Sequence, residues 1–140
     1  MEKLLFTPYA WRKMCFIRDI GDTEVSFFAI SRRDKPNLVI DVRMPKQLGS
    51  MAFTEFVEDD LADFFEDLVD EGLHPCEFGR IWCHTHPGAS ASPSGQDETT
   101  FKKEFAETNW GVMFILGKTG QTTCRFKHKN HPELTEVLGT

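Results

Sequence analysis

Two histidines separated by one residue, His84-Thr85-His86, are followed after a short loop by Ser94-Gly95-Gln96-Asp97. On a β-strand, side chains two residues apart project from the same face, so His84 and His86 present two imidazoles to one point while Thr85 faces away. If the loop from Pro87 to Pro93 folds the chain back, Asp97 in the first turn of the next helix brings a carboxylate to that point. Two histidines and one carboxylate with an open fourth position describe a catalytic metal centre, whereas a closed structural site is usually completed by cysteines. Each half also has an ordinary local reading. Ser-x-x-Asp is routine helix-start chemistry, and a lone His-x-His on a strand need not bind anything. What favours a mononuclear hydrolytic site is the occurrence of both within residues 84–97.

The neighbouring sequence supplies elements able to hold these groups. Phe78 to His86 has the composition of a strand that stops at Pro87-Gly88, and Ser94 is an N-cap for a helix whose apolar side carries Phe101 and Phe105. Trp110–Leu116 and Thr122–Lys127, joined by a Gly-rich turn, predict a hairpin. Upstream, Glu24–Ile30 and Leu38–Met44 predict a second hairpin across the polar turn Arg32–Asn37, with a further strand at Met51–Val57 and a short helix over residues 8–18. Leu61, Phe64, Phe65, Leu68 and Val69 form a 3.6-residue stripe ending at Gly72, which predicts a helix. Its other face holds Asp59, Asp60, Asp63, Glu66, Asp67, Asp70 and Glu71, a solvated surface or a dock for a basic partner. Early and late helices around a mostly antiparallel mixed sheet make the fold class α+β, or mixed α/β, with residues 1–140 expected to form one unit.

Composition narrows the function. The chain has 140 residues, with 22 acidic against 16 basic side chains for a net charge of −6. That balance lacks the positive field needed for nucleic acid or anionic lipid. The longest apolar runs, such as Val112–Leu116, fall well short of the roughly 20 residues of a membrane span. The first residues lack the pattern of a signal peptide, so the expected location is cytoplasmic. Cys15, Cys76, Cys83 and Cys124 are scattered and read as reduced thiols, with Cys83 facing the core by strand alternation. His74, His128 and His131 read as surface or satisfied histidines, because none sits at ligand spacing from the others.

The motif His84-Thr85-His86, seven residues, then Ser94-Gly95-Gln96-Asp97, with Trp82, Pro87-Gly88 and Gly95 beside it, resembles the JAB/MPN+ (JAMM) domain of zinc-dependent isopeptidases. Thr23 to Ser31 aligns with that family's Glu-bearing strand, although Phe27 and Ser31 stand where the family has glycines. The order of elements fits over about residues 8–127. The resemblance implies an MPN-like fold and one zinc ion per chain on His84, His86 and Asp97. It implies Glu24 as general base, Ser94 as donor to the oxyanion, and a ubiquitin-like protein or its conjugate as substrate. Two other readings stay open at this stage. One is a metal-free MPN scaffold, which should lack one or more ligands. The other is a two-His-one-carboxylate iron(II) oxygenase, which uses the same ligand types.

Overall fold

The computed structural model describes residues 3–21, 23–45, 58–128, 131–136 and 138–139. Strand β1 (Lys3–Phe6) leads into helix α1 (Pro8–Asp19), then hairpin strands β2 (Ser26–Arg32) and β3 (Lys35–Arg43). Helices α2 (Glu58–Asp70) and α3 (Pro75–Phe78) precede β4 (Ile81–Thr85), and α4 (Gly95–Glu104) joins it to β5 (Trp110–Leu116). Strands β6 (Thr122–His128), β7 (His131–Glu136) and β8 (Leu138–Gly139) complete a sheet ordered β7-β6-β5-β4-β2-β3-β1-β8. Pairing is parallel for β4 with β5 and for β1 with both β3 and β8, and antiparallel elsewhere. The expected mixed, mostly antiparallel α+β sheet is therefore the one observed.

Strand alternation divides the side chains between two cores. Phe27, Ala29, Ile81, Cys83, Val112 and Phe114 pack with Ala10, Met14 and Ile17 of α1. On the opposite face Phe28, Trp82, Met113 and Ile115 meet Phe101 and Phe105 of α4, together with Leu61, Phe64 and Phe65 of α2. Helix α1 begins with Thr7, whose hydroxyl accepts from the Ala10 N–H at 3.2 Å, and with proline at its first position. Arg43 grips Glu71 through both terminal nitrogens, at 3.1 and 2.9 Å, which joins the end of β3 to the residue after α2. Glycine at position 111 is a packing requirement. A Cβ there would lie 2.5 Å from Phe105 Cδ1 and 2.9 Å from its Cγ. Gly111→Ala should cost about 1–3 kcal/mol through overpacking, read as a melting temperature lower by several degrees.

Some sequence expectations need adjustment. Residue Val69 is 50% exposed, because at 100° per residue it lies about 80° around the helix from Leu61, on the margin of the apolar stripe. Phe78 ends a helix and is not part of the strand. His74 caps that helix, its Nδ1 accepting from the Cys76 N–H at 3.1 Å while its own N–H donates to Glu77. The first hairpin turns more tightly than its polar segment suggested, with only Arg33 and Asp34 between the strands. Asp63, Glu66, Asp67, Asp70 and Glu71 are exposed as expected. The strand expected at Met51–Val57 lies outside the described residues, as do the side chains of Asp59, Asp60 and His131.

Candidate metal centre

Strand β4 carries the two histidines to the end of its run. Ile81 and Cys83 face the α1 core, so Trp82 and His84 face the α4 side, and burial of Cys83 in the α1 core agrees with the alternation. Pairing of Ser26 with His84 aligns β2 against β4. That register continues one step beyond, where the Thr85 N–H donates to the Val25 carbonyl at 2.9 Å and the Val25 N–H donates to Thr85 Oγ1 at 3.1 Å. Glu24 is thereby brought level with His86 and onto the face that carries both imidazoles. Thr85, turned away from the site, is what fastens the start of β2 beside it.

The loop after β4 is folded back by the end of β5. The His86 N–H donates to the Leu116 carbonyl at 3.0 Å and the Lys118 N–H donates to the Gly88 carbonyl at 2.9 Å. A Cβ at Gly117 would lie 2.6 Å from the Ala89 carbonyl oxygen, so this close approach needs glycine. Returning to the sheet, the chain enters α4 through a capping box. Ser94 Oγ accepts from the Asp97 N–H at 3.0 Å, and the Ser94 N–H donates to Asp97 Oδ2 at 2.8 Å. The cap fixes the Asp97 carboxylate at the helix start, where the macrodipole favours negative charge.

The result is a compact cluster. One potential ligand atom from each of Glu24, His84, His86 and Asp97 lies within 4.8 Å of all the others. Glu24, His84 and Asp97 are buried, and His86 is partly so. His84 Nδ1 lies 3.0 Å from Glu24 Oε1, and its Nε2 lies 3.5 Å from Asp97 Oδ1. Neither imidazole nitrogen makes a hydrogen bond among the described residues, nor does Glu24 Oε1. His86 is oriented differently. A carbonyl only accepts, so the 3.1 Å contact of His86 Nδ1 with Ser90 O places a proton on Nδ1. Nε2, 3.2 Å from Asp97 Oδ2, then carries the lone pair when the ring is neutral.

Two lone-pair atoms facing each other at that distance need a shared cation. Without a metal a proton takes the place, and the titration of both groups reflects this. The hydrogen bond with Asp97 raises the His86 pKa above its ordinary value, against burial and with help from the Ser90 carbonyl and nearby carboxylates. Burial pushes the Asp97 pKa up, but His86, the charge of His84 and the Ser94 N–H and hydroxyl outweigh it, leaving it below the usual range. The unpartnered buried atoms of His84 and Glu24, converging with His86 and Asp97 from three segments, fit a metal ion.

The sequence comparisons agree with this centre. A family model described as prokaryotic homologs of the JAB domain matches residues 28–129, and the chain belongs to that family. The matched span contains His84, His86, Ser94 and Asp97, while Glu24 lies just before it and joins them through β-sheet register. No curated protein matches the chain. The described residues include no helix long and apolar enough to cross a membrane.

Local patterns in the sequence anticipated the histidines, Asp97 and Ser94. The groups that set their geometry carry no such pattern: Thr85 as the fastener of Val25, the Ser90 carbonyl that fixes the His86 tautomer, and Gly117 beneath the loop. The only signals for them were the small-residue composition of residues 88–92 and a glycine directly after a buried strand.

Proposed function

We propose that this chain is a zinc metallopeptidase that hydrolyses an isopeptide or peptide bond at the carboxyl end of a ubiquitin-like protein. The observation that carries the proposal is the convergence of His84, His86, Asp97 and Glu24 at the end of β4 in a JAB-family domain. The Asp97 carboxylate faces both imidazoles, Oδ2 at 3.2 Å from His86 Nε2 and Oδ1 at 3.5 Å from His84 Nε2. A use for Glu24 that an iron oxygenase would not supply favours zinc hydrolysis. The presence of every ligand weighs against a metal-free scaffold.

His84, His86 and Asp97 would hold the ion. When bound, zinc lowers the pKa of a coordinated water towards about 7 and polarises a carbonyl. Glu24 takes a proton from the attacking water and passes it to the leaving nitrogen, since an amide expels an unprotonated amine very poorly. Its burial between the strands keeps the carboxylate aimed and short of competing water. Ser94 is exposed, and its hydroxyl oxygen is already used as an acceptor in the helix cap. Its O–H, which helps hold the Asp97 pKa down, would turn to donate to the developing oxyanion, so capping and catalysis use different ends of one group. The exposed acids of α2 would attract a basic surface of the modifier at long range.

Ser94→Ala separates its two roles. Loss of the cap should cost about 1 kcal/mol of stability. Loss of the donor should lower kcat by about 10²–10³ with KM nearly unchanged. A lower melting temperature with unchanged kcat would leave Ser94 as a cap alone. Substrate class is tested by comparing folded ubiquitin-like proteins carrying a C-terminal lysine-linked or peptide extension with unstructured peptides of the same cleavage sequence. The folded substrates should be cut with the higher kcat/KM. Equal rates would replace this reading with a general peptidase, and no zinc-dependent cleavage of either would overturn it.

A further inference from the structure

Trp82, His84 and His86 follow one another at every second residue along β4 and just past its end, and their rings form a ladder on one face of the sheet. Trp82 and His84 have ring centroids 4.8 Å apart at an interplanar angle of 31°. His84 and His86 continue the ladder at 5.1 Å and 46°. Its inner end is firmly held. Trp82 is 3% exposed, pairs with Phe28 of β2 and Met113 of β5, and belongs to the core closed by Phe101 and Phe105 of α4.

His84 lacks the usual support. Its ring is fully buried, yet among the described residues neither nitrogen makes a hydrogen bond. Glu24 Oε1 comes within 3.0 Å of Nδ1 without the geometry of one. A metal-ligating histidine is ordinarily aimed by a hydrogen bond from its other ring nitrogen, as His86 is by the Ser90 carbonyl. Without that bond the outer torsion of an imidazole is broad and defines the lone-pair direction poorly. The cross-strand neighbours of His84, Ser26 and Ile115, present no flat surface to the ring.

We infer that Trp82 is a positioning residue of the metal centre: its indole, stacked on the His84 imidazole, sets the plane of that ring in place of the missing hydrogen bond and so aims its nitrogen at the ion. Stacking suits this task because aromatic pairs hold preferred offsets and tilts, so turning one ring against a fixed partner loses contact. The His84–His86 contact extends the constraint, joining the ligand fixed by packing to the ligand fixed by a carbonyl. The inference rests on the zinc site of the proposed function and is independent of the substrate.

Zinc affinity of the full-length chain, measured by competition with a chromophoric chelator, tests this, together with the visible spectrum of the cobalt(II)-loaded protein, whose bands report ligand geometry. Trp82→Leu keeps an apolar side chain and removes the ring. It should raise the zinc Kd by about tenfold or more, the usual effect of losing a group that orients a metal ligand, and change the cobalt bands. Trp82→Phe keeps a stacking face and should stay within about threefold of the wild type, by the same comparison. Both titrations are made well below the melting temperature of the chelator-treated chains, where a residue that only fills the core would leave Kd and spectrum alone. If Trp82→Leu does not melt cooperatively, Trp82→Met, unbranched and better able to fill the space, takes its place. Wild-type affinity and spectrum in the variant without a ring would overturn the inference. So would an equal loss in Trp82→Phe. No zinc binding by the wild type would overturn the metal site itself and the role of Trp82 with it, which separates failure of the site from failure of the positioning.

Discussion

Replacing Glu24 with glutamine should leave the metal content unchanged and lower turnover by about 10²–10⁴-fold, the usual contribution of a positioned general acid–base. The substitution is close to isosteric and preserves a side chain of the right length at a buried position. What it removes is the capacity to take and return a proton. At 1.36 kcal/mol per factor of ten, the expected loss corresponds to roughly 3–5 kcal/mol of transition-state stabilisation. Three measurements isolate this effect from damage to the fold: elemental analysis for zinc, a thermal melt, and the pH–rate profile. The variant should keep its zinc and lose the limb of the profile that reports the base. Near-wild-type turnover would remove Glu24 from the proton path, and loss of zinc would make it a ligand.

Glu24 and the two histidines differ in what a sequence can display of them. His84 and His86 are visible because strand alternation is a local rule, and Asp97 because the capping pattern Ser94-x-x-Asp97 is local too. Glu24 has no such neighbour. It reaches the histidines only through pairing of β2 with β4, a contact across 60 residues of sequence at Val25 and Thr85. Resemblance to the JAB/MPN+ domain proposed it, and the register of Ser26 with His84 brought it to the site. The same division runs through the fold. Amphipathic α2 and the β5–β6 hairpin are legible from periodicity. Strand β1 is not, because four residues stabilised by pairing Leu5 with Leu38 carry no distinctive pattern of their own. Helix α3 is not legible for a related reason: its four residues depend on the His74 cap and Glu77 more than on helix propensity. The loop that holds His86 is specified by backbone groups, the Ser90 carbonyl and the Gly88–Lys118 bond, for which side-chain identity offers only the hint of small residues.

Zinc should raise the melting temperature of the wild-type chain, and His86→Ala should abolish most of that rise together with zinc retention and activity. A ligand present at 100 times its Kd stabilises the folded state by about 2.7 kcal/mol, equivalent to roughly 8 °C for a domain of this size. His86 suits the test better than His84 because it is partly exposed, so truncation leaves no large buried cavity. The pH dependence provides a second, independent reading. In the metal-free fold the His86 pKa is raised, so its pairing with Asp97 contributes stability that is full below the unfolded value near 6.5 and is lost as pH rises through the folded value. Zinc needs the unprotonated ring, and its contribution therefore runs the other way, weakening as pH falls. Because the folded pKa is raised, that weakening begins at a higher pH than an ordinary imidazole would give. Asp97, with its lowered pKa, stays ionised through this interval and contributes no slope until far more acidic conditions. Melting curves taken with zinc and with a chelator should consequently converge as the solution is acidified through the His86 transition, and in His86→Ala most of the separation between them should be gone at every pH. A zinc-dependent rise that survives in His86→Ala, or that persists unchanged through acidification, would place the metal elsewhere on the chain.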